Sequence, residues 1–152
     1  MIAVMEKPNL AKENPSLTIK RRLNAPPAKV YAAWTVPEML VRWVGPNGTK
    51  TARAEGDVRI GGQFHTQLLM ENGDEHNVSG VYREVVPNQK LVFTWAWRST
   101  PERESLVTVL IKPDGAGAIL TLTHEQFFDE AARDRHEYGW SGALNKLEKY
   151  LG

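Results

Sequence analysis

From residue 49 to residue 125 the sequence alternates strand-like segments with short turns, and no stretch with a helical period interrupts them. The turns are marked by Asn72-Gly73, the strongest short hairpin signal, by Pro87-Asn88 and by KPDGAG at 112–117. Strands that follow one another through such short connections pair antiparallel. We therefore predict one meander-like antiparallel sheet from six segments: TARAEGD, GGQFHTQLLM, NVSGVYREVV, KLVFTWAW, SLVTVLI and AILTLTHE.

The region before this run adds a strand and two short helices. SLTIKRRL at 16–23 alternates apolar and polar residues, which predicts a strand. The period then changes to that of a helix in NAPPAKVYAAWTVPEMLVRW. Its TVPE segment has the pattern of a capping box, with Thr35 as the N-cap and Glu38 reaching back. Two short helices, broken near Thr35, are therefore expected.

One long helix is predicted after the strands, over about residues 129–151, with Asp129 as a good N-cap. Its apolar stripe, at spacings of three and four residues, consists of His136, Trp140, Ala143, Leu144, Leu147 and Leu151. One helix must then cover one antiparallel sheet. The expected fold class is α+β, with a curved sheet of about seven strands around the helix.

Two glycines, Gly139 and Gly142, interrupt this helix on either side of Trp140. Glycine inside a helix costs ~0.5–1 kcal/mol relative to alanine. Both glycines lie beside the apolar stripe and form a flank with almost no side chain. We expect something to approach the backbone closely there, either the RWVGPNG loop at 42–48 or a ligand.

Composition argues against several classes of protein. The formal net charge of +1 gives no overall field for nucleic acid or an anionic membrane, and KRR at 20–22 is interpreted as a solvated strand end. The chain has no cysteine, and no stretch approaches the roughly 18 apolar residues of a membrane span. We predict a cytoplasmic protein without nucleic-acid or membrane partners, with a flexible arm at 1–16 and a single domain at 17–152.

Large aromatic residues share the inward faces of these elements. Trp95 and Trp97 lie on one strand face with Phe93, and Trp140 lies on the helix stripe. Two interpretations stay open: a packed aromatic core, or a pocket for a flat or aliphatic ligand, because a curved sheet closed by one helix is hard to fill with side chains. The residues predicted to line such a pocket are Trp34, Phe64, Met70, Phe93, Trp95, Trp97, Leu122, His124, His136 and Trp140.

The titratable residues form no recognisable constellation. No HxH, HxxxH or HExxH spacing occurs, so no metal site is predicted. His124 ends a strand, where it either makes ordinary hydrogen bonds or lines the pocket beside Glu125 or His136. His124, His136, Glu104 and Tyr82 are the only candidates for acid–base chemistry. No catalytic residue and no cofactor is therefore predicted.

The chain resembles bacterial relatives of the C-terminal domain of the activator of heat-shock-protein ATPase, in the START-like (SRPBCC) superfamily. The resemblance covers about residues 17–151 and lies in APPAKVYAAWTVPEMLVRWVGPNG, GGQFHTQLLM, VSGVYREVVPNQKLVFTW, LTLTHEQF and HEYGWSGALNKLEKYL. It implies a helix-grip fold, in which a seven-stranded antiparallel sheet bends around the C-terminal helix. It also implies a cavity between the sheet and the helix.

Three functions follow as hypotheses. The first is binding of a small apolar or aromatic molecule in the cavity, without a cofactor. The second is a cavity enzyme of the polyketide-cyclase or lyase kind, which the same superfamily includes. The third is a chaperone-associated stress-response module. A homodimer and a contact with a chaperone are the alternative partners to a small hydrophobic molecule.

Overall fold

A computed structural model describes residues 14–152 and contains one seven-stranded sheet in which all neighbouring strands are antiparallel. The strands are β1 (Leu17–Leu23), β2 (Thr49–Gly56), β3 (Gln63–Met70), β4 (Glu75–Val86), β5 (Lys90–Trp97), β6 (Ser105–Asp114) and β7 (Gly117–Glu125). Most of the predicted arm at 1–16 lies outside the described residues. Within its last part, the Pro15 carbonyl accepts a hydrogen bond from the Phe127 N–H at 3.3 Å.

The sheet order is β1-β7-β6-β5-β4-β3-β2, so the first strand forms one edge of the sheet, beside the last strand. The predicted hairpin turns are present. At the β3–β4 turn Gly73 has φ 94°, and the Asp74 N–H donates to Asn72 Oδ1 at 2.8 Å. Asn88 has φ 66° between β4 and β5. Glycine and asparagine are the residues that adopt such positive φ values most readily, which is why these positions could be recognised from the sequence.

The described residues also form three helices: α1 (Pro27–Thr35), α2 (Pro37–Leu40) and α3 (Glu130–Leu151). Asp129 precedes α3, and its Oδ1 accepts a hydrogen bond from the Ala132 N–H at 2.8 Å. This bond satisfies one of the free backbone donors of the first turn. The predicted N-cap of the long helix is therefore confirmed.

The capping box predicted at Thr35 is wrong. Thr35 is the last residue of α1, and its hydroxyl donates to the Tyr31 carbonyl at 2.9 Å. Val36 is the extended residue between the two helices and is the N-cap of α2, with φ −89° and ψ 117°. An N-cap needs an extended backbone, which Thr35 lacks because α1 continues through it. The Pro37 ring still opens α2, as the sequence predicts.

Helix α3 packs its apolar stripe against the concave face of the sheet. Trp140 is only 5% exposed, and its ring centroid lies 5.1 Å from that of Trp95 on β5. Farther along the helix, Leu144 and Leu147 are fully buried. Each such burial contributes roughly 1.5–3 kcal/mol relative to an exposed side chain. The α+β helix-grip prediction, with a long helix held in a curved seven-stranded sheet, is confirmed.

The glycine flank of α3 faces the loop between α2 and β2. A Cβ on Gly142 would lie 3.1 Å from the backbone nitrogen of Asn47 and 3.0 Å from its Oδ1, closer than an ordinary contact. A Cβ on Gly139 would lie 3.7 Å from Pro46 Cβ, which is ordinary van der Waals contact. The loop interpretation of the two glycines is therefore confirmed. Of these two glycines, only Gly142 is required by a close approach of backbone.

The two glycines should respond oppositely to substitution. We expect Gly139→Ala to raise the free energy of unfolding by ~0.5–1 kcal/mol through helix propensity. Gly142→Leu should lower it by ~1–3 kcal/mol, because the loop must be displaced. Denaturant midpoints of both variants provide the measurement. Equal midpoints would contradict the asymmetry between the two positions.

Candidate functional site

A cavity of about 980 Å³ lies between the first half of α3 and strands β3, β4 and β5. Its apolar wall includes Leu68, Val78, Trp95, Trp97, Phe127 and Trp140, and its rim includes Glu75, His76, Arg98, Arg103, Asp134 and Arg135. The loop at 44–47, which packs on the glycine flank, closes one side. The volume is at the upper end of the range typical for small-molecule sites.

Four of the ten residues predicted to line a pocket lie in this wall: Trp95, Trp97, His136 and Trp140. They come from β5 and α3, the two elements that face each other across the cavity. The indole rings of Trp95 and Trp97 meet edge to face, with centroids 5.6 Å apart. This cluster gives the cavity a wide aromatic surface. Contact of these side chains with a ligand stays a prediction.

The other six predicted residues lie outside the cavity lining: Trp34, Phe64, Met70, Phe93, Leu122 and His124. Trp34 packs behind the wall, with its ring centroid 4.7 Å from that of Trp43 and 5.9 Å from that of Trp140. Phe64 and Phe93 pack edge to face at 5.4 Å. A packed aromatic core and an aromatic-lined pocket thus occur side by side. Strand parity alone therefore does not decide which side chains line the cavity, because the position along the strand also matters.

The remaining three residues, Leu122, His124 and Met70, also lie in the core or at its margin. Leu122 and His124 are fully buried on β7. Met70 ends β3, and its sulfur lies 3.7 Å from the Thr49 hydroxyl, which donates to the Pro46 carbonyl at 2.7 Å. His124 lies immediately behind the cavity wall, because it is hydrogen-bonded to the wall residue Trp140.

His124 belongs to a buried hydrogen-bond chain. The Trp140 indole N–H donates to His124 Nδ1 at 3.0 Å, and His124 Nε2 lies 2.7 Å from the Ser105 hydroxyl. An indole nitrogen only donates, so Nδ1 must be the unprotonated nitrogen. The neutral ring then carries its proton on Nε2 and donates it to Ser105. The Ser105 hydroxyl in turn donates to the Trp95 carbonyl at 3.2 Å.

His136 repeats this arrangement at the cavity surface. The Trp97 indole N–H donates to His136 Nε2 at 2.9 Å, and His136 Nδ1 donates to the Ala132 carbonyl at 2.7 Å. The imidazole is therefore neutral, with its proton on Nδ1. Burial lowers the pKa of His136, and the nearby Arg135 charge lowers it further, against the opposing effect of the Ala132 hydrogen bond. Each histidine thus has an indole N–H occupying its only lone pair.

Burial, and after it the neighbouring His136, hold the pKa of His124 well below its ordinary value of 6.5. The two imidazole centroids are 5.0 Å apart, and the Phe127 ring lies 4.2 Å from that of His124. Protonation of His124 would put a second proton on Nδ1, opposite the Trp140 N–H. The bond would be lost and a charge would be buried, so this histidine stays neutral in the folded protein.

The remaining acid–base candidates are not placed for chemistry in the cavity. Tyr82 packs against Phe64 and Phe93 in the core, and burial, with a smaller effect of Tyr31, raises its pKa to about 12. Glu104 is exposed and lies outside the cavity lining. Among residues 14–152, no group of three His, Asp or Glu side chains is arranged to hold a metal ion.

Comparison with known proteins places the chain in a family. The family model described as activator of Hsp90 ATPase homolog 1-like protein matches residues 24–152. The chain belongs to this family. No curated protein matches it. In the described part of the chain, no helix combines the length and the apolar character needed to cross a membrane.

Solved structures of bacterial proteins have the same fold. A protein from Chromobacterium violaceum is 26% identical over 90% of this chain and 97% of its own, with a TM-score of 0.78. The AHSA1 protein from Silicibacter pomeroyi is 28% identical over the same shares, with a TM-score of 0.77. A protein from Rhizobium leguminosarum is 28% identical over 91% of this chain and 95% of its own, with a TM-score of 0.73.

Several wall and rim residues were not predicted from the sequence. Ser105 alternates with the buried Val107 and Val109 on β6, so strand parity could have indicated its inward position. Arg98 and Arg103 lie in the loop after β5, where no periodicity applies. Arg135 is one position before the recognised stripe of α3. The cavity residues that periodicity does not identify therefore lie in loops and beside the apolar stripe of α3.

The neutral state of His124 predicts a pH-dependent stability. An unfolded chain protonates histidine near pH 6.5, so below that pH the unfolded state binds more protons than the folded state. The contribution of neutral His124 to the free energy of unfolding is therefore fully present above about pH 6.5. It falls as the pH decreases toward the lowered pKa of the folded state, by up to ~1.4 kcal/mol per pH unit.

Urea unfolding of the protein and of His124→Gln, between about pH 7 and pH 5, measures this slope. His124→Gln should flatten the slope whatever its effect on stability at neutral pH. His136→Gln should flatten it less, because this ring is only partly buried. An unchanged slope in His124→Gln would contradict the assignment.

The Trp140–His124 hydrogen bond predicts that removing the Trp140 indole destabilises the protein more than removing the Trp95 indole. Trp140→Phe leaves His124 Nδ1 buried without a donor, whereas Trp95 Nε1 already has no partner within residues 14–152. We expect Trp140→Phe to lower the free energy of unfolding by ~1–3 kcal/mol more than Trp95→Phe does. Denaturant unfolding of both variants measures this difference. Similar losses would show that the bond contributes little.

Proposed function

We propose that this protein binds a small apolar or aromatic molecule in the cavity between α3 and the sheet. The observation that supports it most directly is the open volume of about 980 Å³ beside the rings of Trp95, Trp97 and Trp140. Apolar walls of this size with few polar groups are typical of small-molecule sites. Burying a flat or aliphatic body against them contributes roughly 25 cal/mol per Å² before the cost of association.

The hydrogen bonding of the wall favours binding over the enzyme alternative. Ser105 and His124 are 2.7 Å apart, a distance suitable for a nucleophile and its general base. The direction of the bond is the reverse of what such a pair needs, because His124 donates to the hydroxyl instead of accepting from it. A catalytic dyad has a hydrogen-bond acceptor at Nδ1, whereas here Nδ1 receives a proton donor, the Trp140 indole.

His136 offers no free base either, because its Nε2 accepts from Trp97. Within the described residues, neither His136 nor His124 behind it therefore has an unoccupied lone pair to take a proton from a substrate, and the third histidine at the cavity, His76, lies at the rim. Contact with a chaperone, which the description of the family suggests, and self-association remain separate predictions. Cytoplasmic location likewise remains a prediction from the sequence.

Binding can be tested with N-phenyl-1-naphthylamine, an uncharged planar probe. Occupation of the cavity should quench tryptophan emission by energy transfer to the probe and raise the probe's own emission. Trp97→Ala should raise the dissociation constant about three- to tenfold, because an aromatic contact is lost. Fluorescence titration of the intact chain gives both readouts.

Tyr150→Ala is the matched control, because it also truncates an aromatic side chain. Tyr150 is 39% exposed and lies outside the cavity lining, so its loss should leave probe affinity unchanged. If neither tryptophan nor probe emission responds, the proposed cavity binding is wrong. Equal weakening by both substitutions would place the probe elsewhere on the surface.

A further inference from the structure

Resting on the proposed binding function, we infer that the ligand is an anionic amphipath. Its apolar or aromatic body lies against the indole wall, and a single carboxylate or phosphate head lies at the rim beside Arg98, Arg103 and Arg135. The inference depends on which charged groups of the rim are already engaged. It also depends on how the buried polar groups of the wall are satisfied.

Two guanidinium groups at the rim have no partner among residues 14–152. Within the part of the chain that the structure describes, the side chains of Arg98 and Arg135 make no hydrogen bond and no ion pair. Both are exposed and line the cavity. Each presents several N–H donors in a planar fork that matches carboxylate and phosphate oxygens.

The third guanidinium is held in place by an aromatic ring. The Arg103 Cζ lies 3.8 Å from the centroid of Phe128, a rim residue that is 60% exposed. This cation–π contact uses the face of the Phe128 ring. The neighbouring Glu102 carboxylate is 3.9 Å from Nε, beyond hydrogen-bond distance. The in-plane donors of Arg103 therefore remain available to an acidic head.

The two rim carboxylates are engaged by other groups. Glu75 Oε2 accepts from Gln67 Nε2 at 2.6 Å and from Asn77 Nδ2 at 3.4 Å. Asp134 Oδ1 accepts from Arg133 Nε at 2.8 Å. The two rim carboxylates thus accept hydrogen bonds from neighbours, while within residues 14–152 the side chains of Arg98 and Arg135 donate none. This asymmetry favours an anion over a cation at the rim.

The wall below the rim sets the orientation of the ligand. The indole N–H groups of Trp97 and Trp140 are bonded to histidines, and Trp95 Nε1 is fully enclosed. A charged head placed against these indole rings would lose its hydration without gaining a partner from them, which is unfavourable. The charge must therefore stay at the rim, where the guanidinium groups lie, and the uncharged body must occupy the depth of the cavity.

Four ligands with the same dodecyl body and different heads test this inference: dodecanoate, dodecyl phosphate, dodecanol and dodecyltrimethylammonium. Isothermal titration calorimetry on the intact chain, below each critical micelle concentration, gives the dissociation constants. We expect the tighter-binding anion to bind about tenfold more tightly than dodecanol, and the cation more weakly than dodecanol. Which anion binds more tightly distinguishes a carboxylate from a phosphate ligand. The anion preference should shrink in about 0.5 M NaCl.

Two double variants that lose the same charge distinguish the effect of the rim arginines on anion binding from the effect of the net charge. Arg98→Gln with Arg135→Gln should reduce the anion preference to less than about threefold, while the affinity for dodecanol stays unchanged. Arg53→Gln with Arg83→Gln, at exposed strand positions outside the cavity lining, should leave the preference intact. An equal reduction in both doubles would attribute the preference to net charge and overturn the inference.

The remaining outcomes distinguish the inference from the proposed function. Equal affinity for dodecanol and both anions overturns the anionic head but leaves cavity binding in place. Tightest binding of the cation overturns the inference as well. Absence of binding by all four ligands overturns both the proposed function and the inference.

Discussion

The hydrogen bond from the Trp140 indole to His124 is the interaction on which the fold and the cavity both depend. It joins α3 to β7 at 3.0 Å inside the core, where an unpaired donor or acceptor costs ~1–3 kcal/mol. The same indole ring packs near Trp34 of α1 and Trp95 of β5. One side chain thus fixes the helix against three separate elements. Because its position is fixed, the distance between α3 and the strands beyond it is fixed too, and that gap is the cavity.

The loop at 44–47, which closes another side of the cavity, packs closely on α3 because Gly142 has no side chain. Gly142 lets the backbone of Asn47 come within a distance that a Cβ would obstruct. Lys146, one turn later, donates to the carbonyls of Val44 and Pro46 at 3.4 and 3.5 Å, and burial lowers the pKa of this lysine. The loop at 44–47 is therefore attached to the helix along its length. A cavity bounded by attached elements is preformed, so a ligand need not pay the entropy of ordering it.

The order and type of the elements could be predicted because their signals are local. Turn residues such as Gly73 and Asn88 have positive φ, and alternation assigns one face of each strand to the core. The site was predicted only in part, since Trp97 and Phe93 share one strand face and only Trp97 reaches the cavity. Depth depends on how the sheet curves around the helix, which no local pattern contains. The rim arginine Arg98 lies in a loop without periodicity and was missed for the same reason.

The bonds that stabilise this core also limit its chemistry. Catalysis by a histidine needs a lone pair that a substrate proton can reach, and in both His124 and His136 an indole N–H occupies it. Releasing either lone pair would leave a tryptophan donor without a partner at the cavity wall. Stability and proton transfer therefore compete for the same two nitrogen atoms. With the indoles of the wall satisfied internally, the proposed recognition would depend on shape within the cavity and on charge at its rim, where Arg98 and Arg135 have no partner in the described part of the chain.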